Sequence, residues 1–284
     1  MTGLDHCRRR SFTARRQAWF DHGLPWRLWL PLLALICALI GPAPARIIGA
    51  ENRSRLDDAN QQRFAGVGRL TCVDRDSGVR GYSTATLIGD HRTVLGVGHF
   101  RRLMVNGRLA LIPLEQCRFE LFGSDRRRVF SSSISSVRSA LPPHVYRRSS
   151  YGMPDWSVFQ LTQAVPPSIR PVKLRILPSS RLGEAEDAFL VAFHDSPIIP
   201  DRDKVYSPRC APRHVEGQLS LFEHDCDTSP GSSGGLLFVE GRDGPVAIGM
   251  HTAEGAPLAP NLGQLFPDDL TRVLPEEAIE PGGA

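Results

Sequence analysis

The stretch CDTSPGSSGGLLF, residues 226–238, places two adjacent serines between one glycine and a glycine pair, and an apolar run follows at once. Glycines let a backbone curl tightly, so this composition suits a plain turn that leads into a strand. It equally suits a turn that presents a serine nucleophile and aims backbone N–H groups at an oxyanion. Taken alone, the stretch does not decide between a plain turn and a nucleophile turn. It also does not show whether Ser232 or Ser233 would be the nucleophile.

The surrounding chain of 284 residues predicts an all-β protein. Short apolar or alternating runs recur along it, each bounded by Gly, Pro, Asp, Asn or Ser. The ten runs are FAGVGRLTCV, YSTATLIG, RTVLGVGH, QCRFELFG, SSISSVRS, DWSVFQL, DAFLVAFH, EGQLSLFE, GGLLFVEG and PVAIGMHT. Only the end, DDLTRVLPE, has the spacing of a short helix. So many short strands are typical of a β-barrel or a sandwich.

The N-terminus predicts export. Residues 1–45 hold six arginines and two aspartates, which account for the whole net charge of +4, so the rest is neutral and argues against a general nucleic-acid binder. The apolar run LWLPLLALICALIG, residues 28–41, precedes Ala43-Pro44-Ala45, as in a secretory signal peptide cleaved after Ala45. Because the run is shorter than the roughly 20 residues of a membrane span, we expect a secreted or periplasmic protein with no stable span after cleavage. A membrane anchor formed by residues 28–41 is the alternative.

The cysteines agree with export. Cys7 and Cys37 leave with the signal, and an even number remains, which fits disulfides in an oxidising compartment. The remaining four are Cys72, Cys117, Cys210 and Cys226. Four cysteines allow three pairings, and the residues alone do not choose among them. A zinc site is the rival interpretation, but no close Cys-x-x-Cys or Cys-x-x-His pair is present to begin one.

Two further motifs change the reading of the opening stretch. In TATLIGDHRTVLGVGHF, the turn GDHR joins two apolar runs, and His99 stands where the second run ends. In MPDWSVFQL, Asp155 heads an apolar strand. A serine nucleophile needs a base within hydrogen-bond reach, and that base needs an orienting acid. The chain supplies them in the order His99, Asp155, Ser233.

These motifs resemble those of the chymotrypsin/trypsin-like serine proteases. The histidine strand of that family commonly reads G-T-L-I…V-L-T-A-A-H, its aspartate heads an apolar strand, and its serine turn reads G-[DNS]-S-G-G/S. The runs LLFVEG and AIGMHT also match family strands that follow the serine. The resemblance covers residues 46–275, and it implies two six-stranded antiparallel β-barrels with a short C-terminal helix. Residues 46–165 would form the first barrel, with His99 and Asp155, and residues 166–284 the second, with Ser233 and the substrate pocket.

The resemblance implies an endopeptidase that forms an acyl-enzyme. Ser233 attacks, His99 acts as the base, Asp155 orients it, and the N–H groups of Gly231 and Ser233 form the oxyanion hole. We expect a monomer that acts on protein or peptide substrates and needs no metal or organic cofactor. The alternative is a catalytically inactive homologue that serves as a secreted or envelope binding protein. Gly96 and Gly98 favour it, because glycines can loosen the backbone before His99.

The motif GSSGG also satisfies G-x-S-x-G, the nucleophile elbow of α/β-hydrolases. That fold places its acid and its histidine after the serine. Only 51 residues follow Ser233, and they contain one histidine, His251. The remaining chain is too short for the missing strand–helix units, so we retain the all-β interpretation.

Within the family, RIIGAENR and DCDTSPGSSGG most resemble the bacterial glutamyl endopeptidases. That branch implies a pocket of His251 and Thr228 for an acidic side chain at P1, although the charge of Glu254 near the pocket mouth would oppose such a substrate. In trypsin, an aspartate before the nucleophile pairs with a newly cut N-terminal amine. Ser232 stands there instead, so activation by such a pair is not expected.

The family also bears on the cysteines. Phe100 replaces the cysteine that follows the family's histidine, and the partner of that cysteine is absent from YSTATLI as well. With that disulfide lost, the resemblance implies two pairs within the barrels. These are Cys72 with Cys117 and Cys210 with Cys226.

Overall fold

The alternating runs of the first half close into an antiparallel barrel in the computed structural model, which describes residues 47–48, 50–140, 154–194, 203–218, 220–254 and 259–280. The predicted signal peptide, with Cys7 and Cys37, lies outside these residues. The barrel order is β2-β3-β4-β9-β8-β7. Its strands are β2 (Val67–Val73), β3 (Arg80–Leu87), β4 (Thr93–Val97), β7 (Cys117–Phe122), β8 (Arg128–Ser139) and β9 (Trp156–Leu161).

Alternation along these strands fills the barrel. In β2, side chains on one face are buried and those on the other are half-buried, as a period of two requires. Leu70, Leu95, Phe119 and Phe159 are fully buried in the resulting core. The disulfide between Cys72 and its direct cross-strand neighbour on β7 closes one side of this core.

The remaining strands form a nine-stranded sheet in the order β1-β12-β11-β15-β16-β17-β14-β13, with β10 pairing in parallel with β16. The chain passes from the barrel to this sheet between Leu161 and Lys173, whereas β1, from the N-terminal side, pairs with β12. The ranges are β1 (Ser54–Arg55), β10 (Lys173–Leu174), β11 (Phe189–Phe193), β12 (Lys204–Ser207), β13 (Arg213–His214), β14 (Leu221–His224), β15 (Leu236–Gly241), β16 (Gly244–Ala253) and β17 (Asn261–Leu265).

The sheet has its own small core, in which Phe222, Leu237 and Ile248 pack around the disulfide between Cys210 and Cys226. Both disulfides are the pairs that the resemblance implies. The all-β class and the first six-stranded barrel are therefore present, and the second half is described as one nine-stranded sheet. Each of the ten runs named from the sequence overlaps a strand.

Besides short 3-10 helices, two α-helices and one hairpin lie outside these sheets in the described residues. Helix α1 (Asp58–Arg63) begins at the N-cap Asp57, whose side chain accepts a hydrogen bond from the Asn60 N–H. The hairpin of β5 (Arg102–Val105) and β6 (Arg108–Leu111) turns at Asn106 and Gly107, both at positive φ. The expected C-terminal helix is α2 (Asp268–Thr271).

Candidate active site

The end of β4 places His99 beside Asp155, which heads β9. β4 and β9 are paired, with Val97 opposite Trp156, so the residues that extend both strands meet at the same edge. The Asp155 carboxylate accepts the backbone N–H groups of Gly98 and His99, both at 3.1 Å, through Oδ1. Its Oδ2 lies 2.5 Å from His99 Nδ1. A carboxylate that accepts from Nδ1–H leaves Nε2 of the imidazole as the basic nitrogen.

Gly98 lets this carboxylate approach closely. A Cβ on Gly98 would lie 2.7 Å from Ser139 Oγ, 2.9 Å from Ser157 Oγ and 3.3 Å from Asp155 Oδ1. The Gly98 N–H also bonds to the backbone oxygen of Asp155, and Gly96 is paired on both sides within the barrel. The two glycines therefore belong to a tightly bonded segment, and they do not loosen the backbone before His99.

Gln264 holds Asp155 from the second sheet. Its side chain extends from β17, and Oε1 accepts the backbone N–H of Asp155 at 2.8 Å in a fully buried position. A buried backbone N–H without an acceptor is costly, so this bond fixes the start of β9 against the other half of the molecule. The sequence motifs gave no indication of it, because Gln264 belongs to none of them.

Ser232 and Ser233 differ in their hydrogen bonds and in their exposure. Residues 229–235, the nucleophile turn, begin with Ser229, whose carbonyl accepts both the N–H (3.0 Å) and the Oγ–H (2.8 Å) of Ser232. Ser232 is buried at 1% exposure, whereas Ser233 is half-buried. The Ser232 hydroxyl is therefore occupied within the turn, and Ser233 is the more accessible serine.

The nucleophile turn leaves two N–H groups available. The N–H groups of Ser232, Gly234 and Gly235 donate to carbonyls within the chain. Among the described residues, those of Gly231 and Ser233 have no intrachain acceptor. Gly231 has φ +95° and a Cβ there would lie 2.4 Å from the Tyr82 ring, so this geometry needs glycine.

Thr84 brings the nucleophile turn to the barrel. Its N–H lies 2.9 Å from the carbonyls of Gly231 and Ser233, and its hydroxyl donates to the Gly231 carbonyl at 2.9 Å. A Cβ on Gly234 would lie 3.4 Å from the N–H nitrogen of Val97, two residues before His99. The turn thus lies beside the chain that carries His99. In the described contacts, Ser233 is not hydrogen-bonded to His99.

The predicted pocket residues, Thr228 and His251, are both buried. His251 Nδ1 lies 3.0 Å from Nε2 of His224, which extends from β14. Burial lowers the pKa of His224 to about 3, so this ring is neutral at physiological pH. Thr228 Oγ1 is buried with no hydrogen-bond partner in the described part of the chain. Motif reading missed His224, which is the last residue of β14 and stands two residues before Cys226.

No cluster of three or more His, Cys, Asp or Glu side chains able to hold a metal ion is found in the residues that the structure covers. Within the same residues, every helix is too short or too polar to cross a bilayer. Glu254 directly follows β16 and is half-buried.

Comparison with solved structures identifies the architecture. A Glu endopeptidase superposes with a TM-score of 0.58 at 13% identity, over 80% of this chain and 96% of that one. The VesB protease of Vibrio cholerae superposes with a TM-score of 0.51 at 13% identity, over 78% of this chain and 64% of VesB. The chain has the fold of the trypsin-like serine proteases. No family model and no curated protein matches the sequence.

Proposed function

We propose that the chain is an exported serine endopeptidase that uses His99, Asp155 and Ser233. The observation that carries the proposal is the Asp155 carboxylate, which binds the backbone and the ring of His99 together. A carboxylate held by two N–H groups and facing Nδ1 orients an imidazole as a base. The two available N–H groups of the nucleophile turn supply the second requirement of acyl transfer, an oxyanion site.

The reaction follows from these groups. Ser233 Oγ attacks the scissile carbonyl while His99 Nε2 takes its proton, and the charge of the imidazolium is stabilised by Asp155. The N–H groups of Gly231 and Ser233 bind the oxyanion of the tetrahedral intermediate. His99 then gives the proton to the leaving amine, which leaves an acyl group on Ser233 Oγ. A water molecule, deprotonated by His99, releases the acyl group as the carboxylic acid and restores the serine.

A fluorophosphonate probe tests this assignment, because it reacts with an activated serine without requiring a known substrate. We expect labelling of the wild type and of Ser232→Ala, and no labelling of Ser233→Ala. Asp155→Asn should label about 10³- to 10⁴-fold more slowly, since the imidazole loses its orienting acceptor. A wild-type protein that unfolds cooperatively yet takes no label would favour the non-catalytic binding protein.

We further propose that the pocket prefers an acidic residue at P1. If His224 donates through Nε2, His251 accepts at Nδ1 and its neutral ring carries the proton on Nε2. This tautomer gives an Nε2–H donor suited to a carboxylate. The partnerless hydroxyl of Thr228 would supply a second donor to the same side chain.

Paired peptides with Glu or Gln at P1 isolate the charge from the shape of the side chain. We expect a higher kcat/KM for Glu than for Gln, and Thr228→Val should narrow the difference because it removes only the hydroxyl. Glu254→Gln should widen it, because a like charge is lost. Cleavage of a peptide library mainly after Arg or Leu would contradict the acidic preference.

The compartment and assembly are also proposals. Two disulfides are typical of proteins that reside in an oxidising compartment, which supports a secreted or periplasmic location. Export by a signal peptide cleaved after Ala45, action on protein or peptide substrates rather than nucleic acid, and a monomeric state complete the proposal. Mass spectrometry of the exported protein would test the cleavage site and the monomer together.

A further inference from the structure

The chain just before β1, residues 48 and 50–53, lies against the loop that leads into the nucleophile turn; we call it the N-terminal segment. Its first anchor is Asp227, which is fully buried. The carboxylate accepts the Ile48 N–H at 2.6 Å through Oδ1 and the Asn52 N–H at 3.1 Å through Oδ2. The backbone N–H of Asp227 donates to Ser207 Oγ at 2.9 Å, which holds this residue from its other side.

The second anchor is Arg53, whose side chain is only 1% exposed. Its Nη1 lies 3.1 Å from Nδ1 of His194. This His194 Nδ1 also lies 2.9 Å from Ser229 Oγ. Arginine can only donate, so Nδ1 accepts. Burial, with a smaller contribution from the Arg53 charge, lowers the pKa of His194 to about 3, which keeps the ring neutral and able to accept. Glu51 balances the charge of the buried guanidinium.

The two anchors act on the residues on either side of the pocket residue Thr228. Asp227 directly precedes Thr228, and Ser229, which Arg53 reaches through His194, directly follows it. The carbonyl of Ser229 also accepts the N–H and the hydroxyl of Ser232. Ser229 is therefore bonded directly to Ser232, which stands between Gly231 and Ser233, the residues with the two available N–H groups.

We propose that Asp227 and Arg53 are positioning residues, through which the N-terminal segment holds the pocket wall and the oxyanion hole in their working shape. This inference rests on the proposed function and extends it to residues that lie more than 170 positions apart in the chain. Because Asp227 is bound by backbone amides of residues 48 and 52, the arrangement does not depend on a free α-amino group at the start of the segment.

Point variants in the full chain test the two anchors. Asp227→Asn replaces one acceptor oxygen by a donor, Ile48→Pro deletes one N–H, and Arg53→Gln removes the bond to His194. The matched control is Arg55→Gln, two residues further on in β1, since Arg55 instead binds Asp203, the residue before β12. We expect the three test variants to label with fluorophosphonate about 10- to 100-fold more slowly, and the control to label within about twofold of the wild type.

Amide hydrogen exchange of the peptide spanning residues 226–236 separates positioning from general destabilisation. Faster exchange of this peptide in Arg53→Gln, with wild-type exchange in Arg55→Gln, is the expected result. Wild-type labelling and exchange in Arg53→Gln would overturn the proposal, and so would equal losses in the two arginine variants. A wild type that takes no label would refute the proposed function instead, while the exchange comparison would still decide whether the N-terminal segment positions the turn.

Discussion

Replacing Gly98 by alanine tests how closely Asp155 must approach His99. The added Cβ would lie 2.7 Å from Ser139 Oγ and 2.9 Å from Ser157 Oγ, and these hydroxyls are bonded to each other at 2.8 Å. Both would have to retreat by roughly half an ångström to reach ordinary contact, so one or two hydrogen bonds of about 1 kcal/mol each would weaken. We expect the free energy of unfolding to fall by about 1–2 kcal/mol.

Gly98→Ala should also lower the catalytic rate, because it displaces the carboxylate that orients His99. The third atom near the new Cβ is Asp155 Oδ1, at 3.3 Å, and it accepts the N–H groups that fix the His99 backbone. A displacement of this carboxylate by a few tenths of an ångström would misalign the imidazole, which we expect to lower kcat/KM about 10- to 100-fold. The assays are chemical denaturation and the rate of fluorophosphonate labelling.

Removing the two hydroxyls tests the cause directly. In the background of Gly98→Ala, the pair Ser139→Ala and Ser157→Ala makes room for the Cβ, so we expect labelling to recover most of its rate. Gly183→Ala is the control, because a Cβ there meets nothing within 4 Å. The reasoning fails if Gly98→Ala labels like the wild type, or if the triple variant labels no faster than the single one.

Three further predictions concern buried polar groups. Burial lowers the pKa of Lys204 from 10.5 to about 8. Between pH 8 and 10.5 the unfolded chain therefore binds more protons than the folded one, so the free energy of unfolding should rise with pH there. Lys204→Met should abolish this rise and increase the free energy of unfolding at pH 7 by roughly 1–3 kcal/mol, as measured by denaturation. Burial lowers the pKa of His194 and of His224 from 6.5 to about 3. The free energy of unfolding should therefore fall as the pH drops from 6.5 towards 3, by up to about 2.7 kcal/mol per pH unit for the two groups together. Denaturation of His224→Leu across this range should show half that slope. Gln264→Leu leaves the Asp155 N–H without its acceptor and should lower kcat/KM about tenfold; an unchanged rate would show that the bond does not position Asp155.

The sequence predicted the strands and the candidate residues because both are written locally. Alternation with a period of two marks a half-buried strand wherever it occurs, and each of the three site motifs lies within a few residues of one strand end. The closure of β2 to β9 into a six-stranded barrel was instead an implication of the family resemblance.

What the sequence did not predict depends on partners far along the chain. The acceptor of the Asp155 N–H is Gln264, 109 positions away, and no local pattern marks it. Gly98 was read as a source of looseness, because its tight surroundings come from side chains of β8 and β9. The hairpin of β5 and β6 is different, since its Asn106-Gly107 turn between alternating residues is a local signal that the reading of strands overlooked.

The hydrogen bonds of Thr84 have a consequence for the order in which the chain folds. This one residue of the barrel binds the carbonyls of Gly231 and Ser233, and its hydroxyl also accepts the Phe193 N–H. These contacts join residues 109 to 149 positions apart and close large loops, so we expect them to form after the local hairpins. We therefore expect the turn of residues 229–235 to assemble after the barrel hairpins. Under the proposed function, a partly folded molecule would have no peptidase activity, so this order of assembly would protect the cell that makes it.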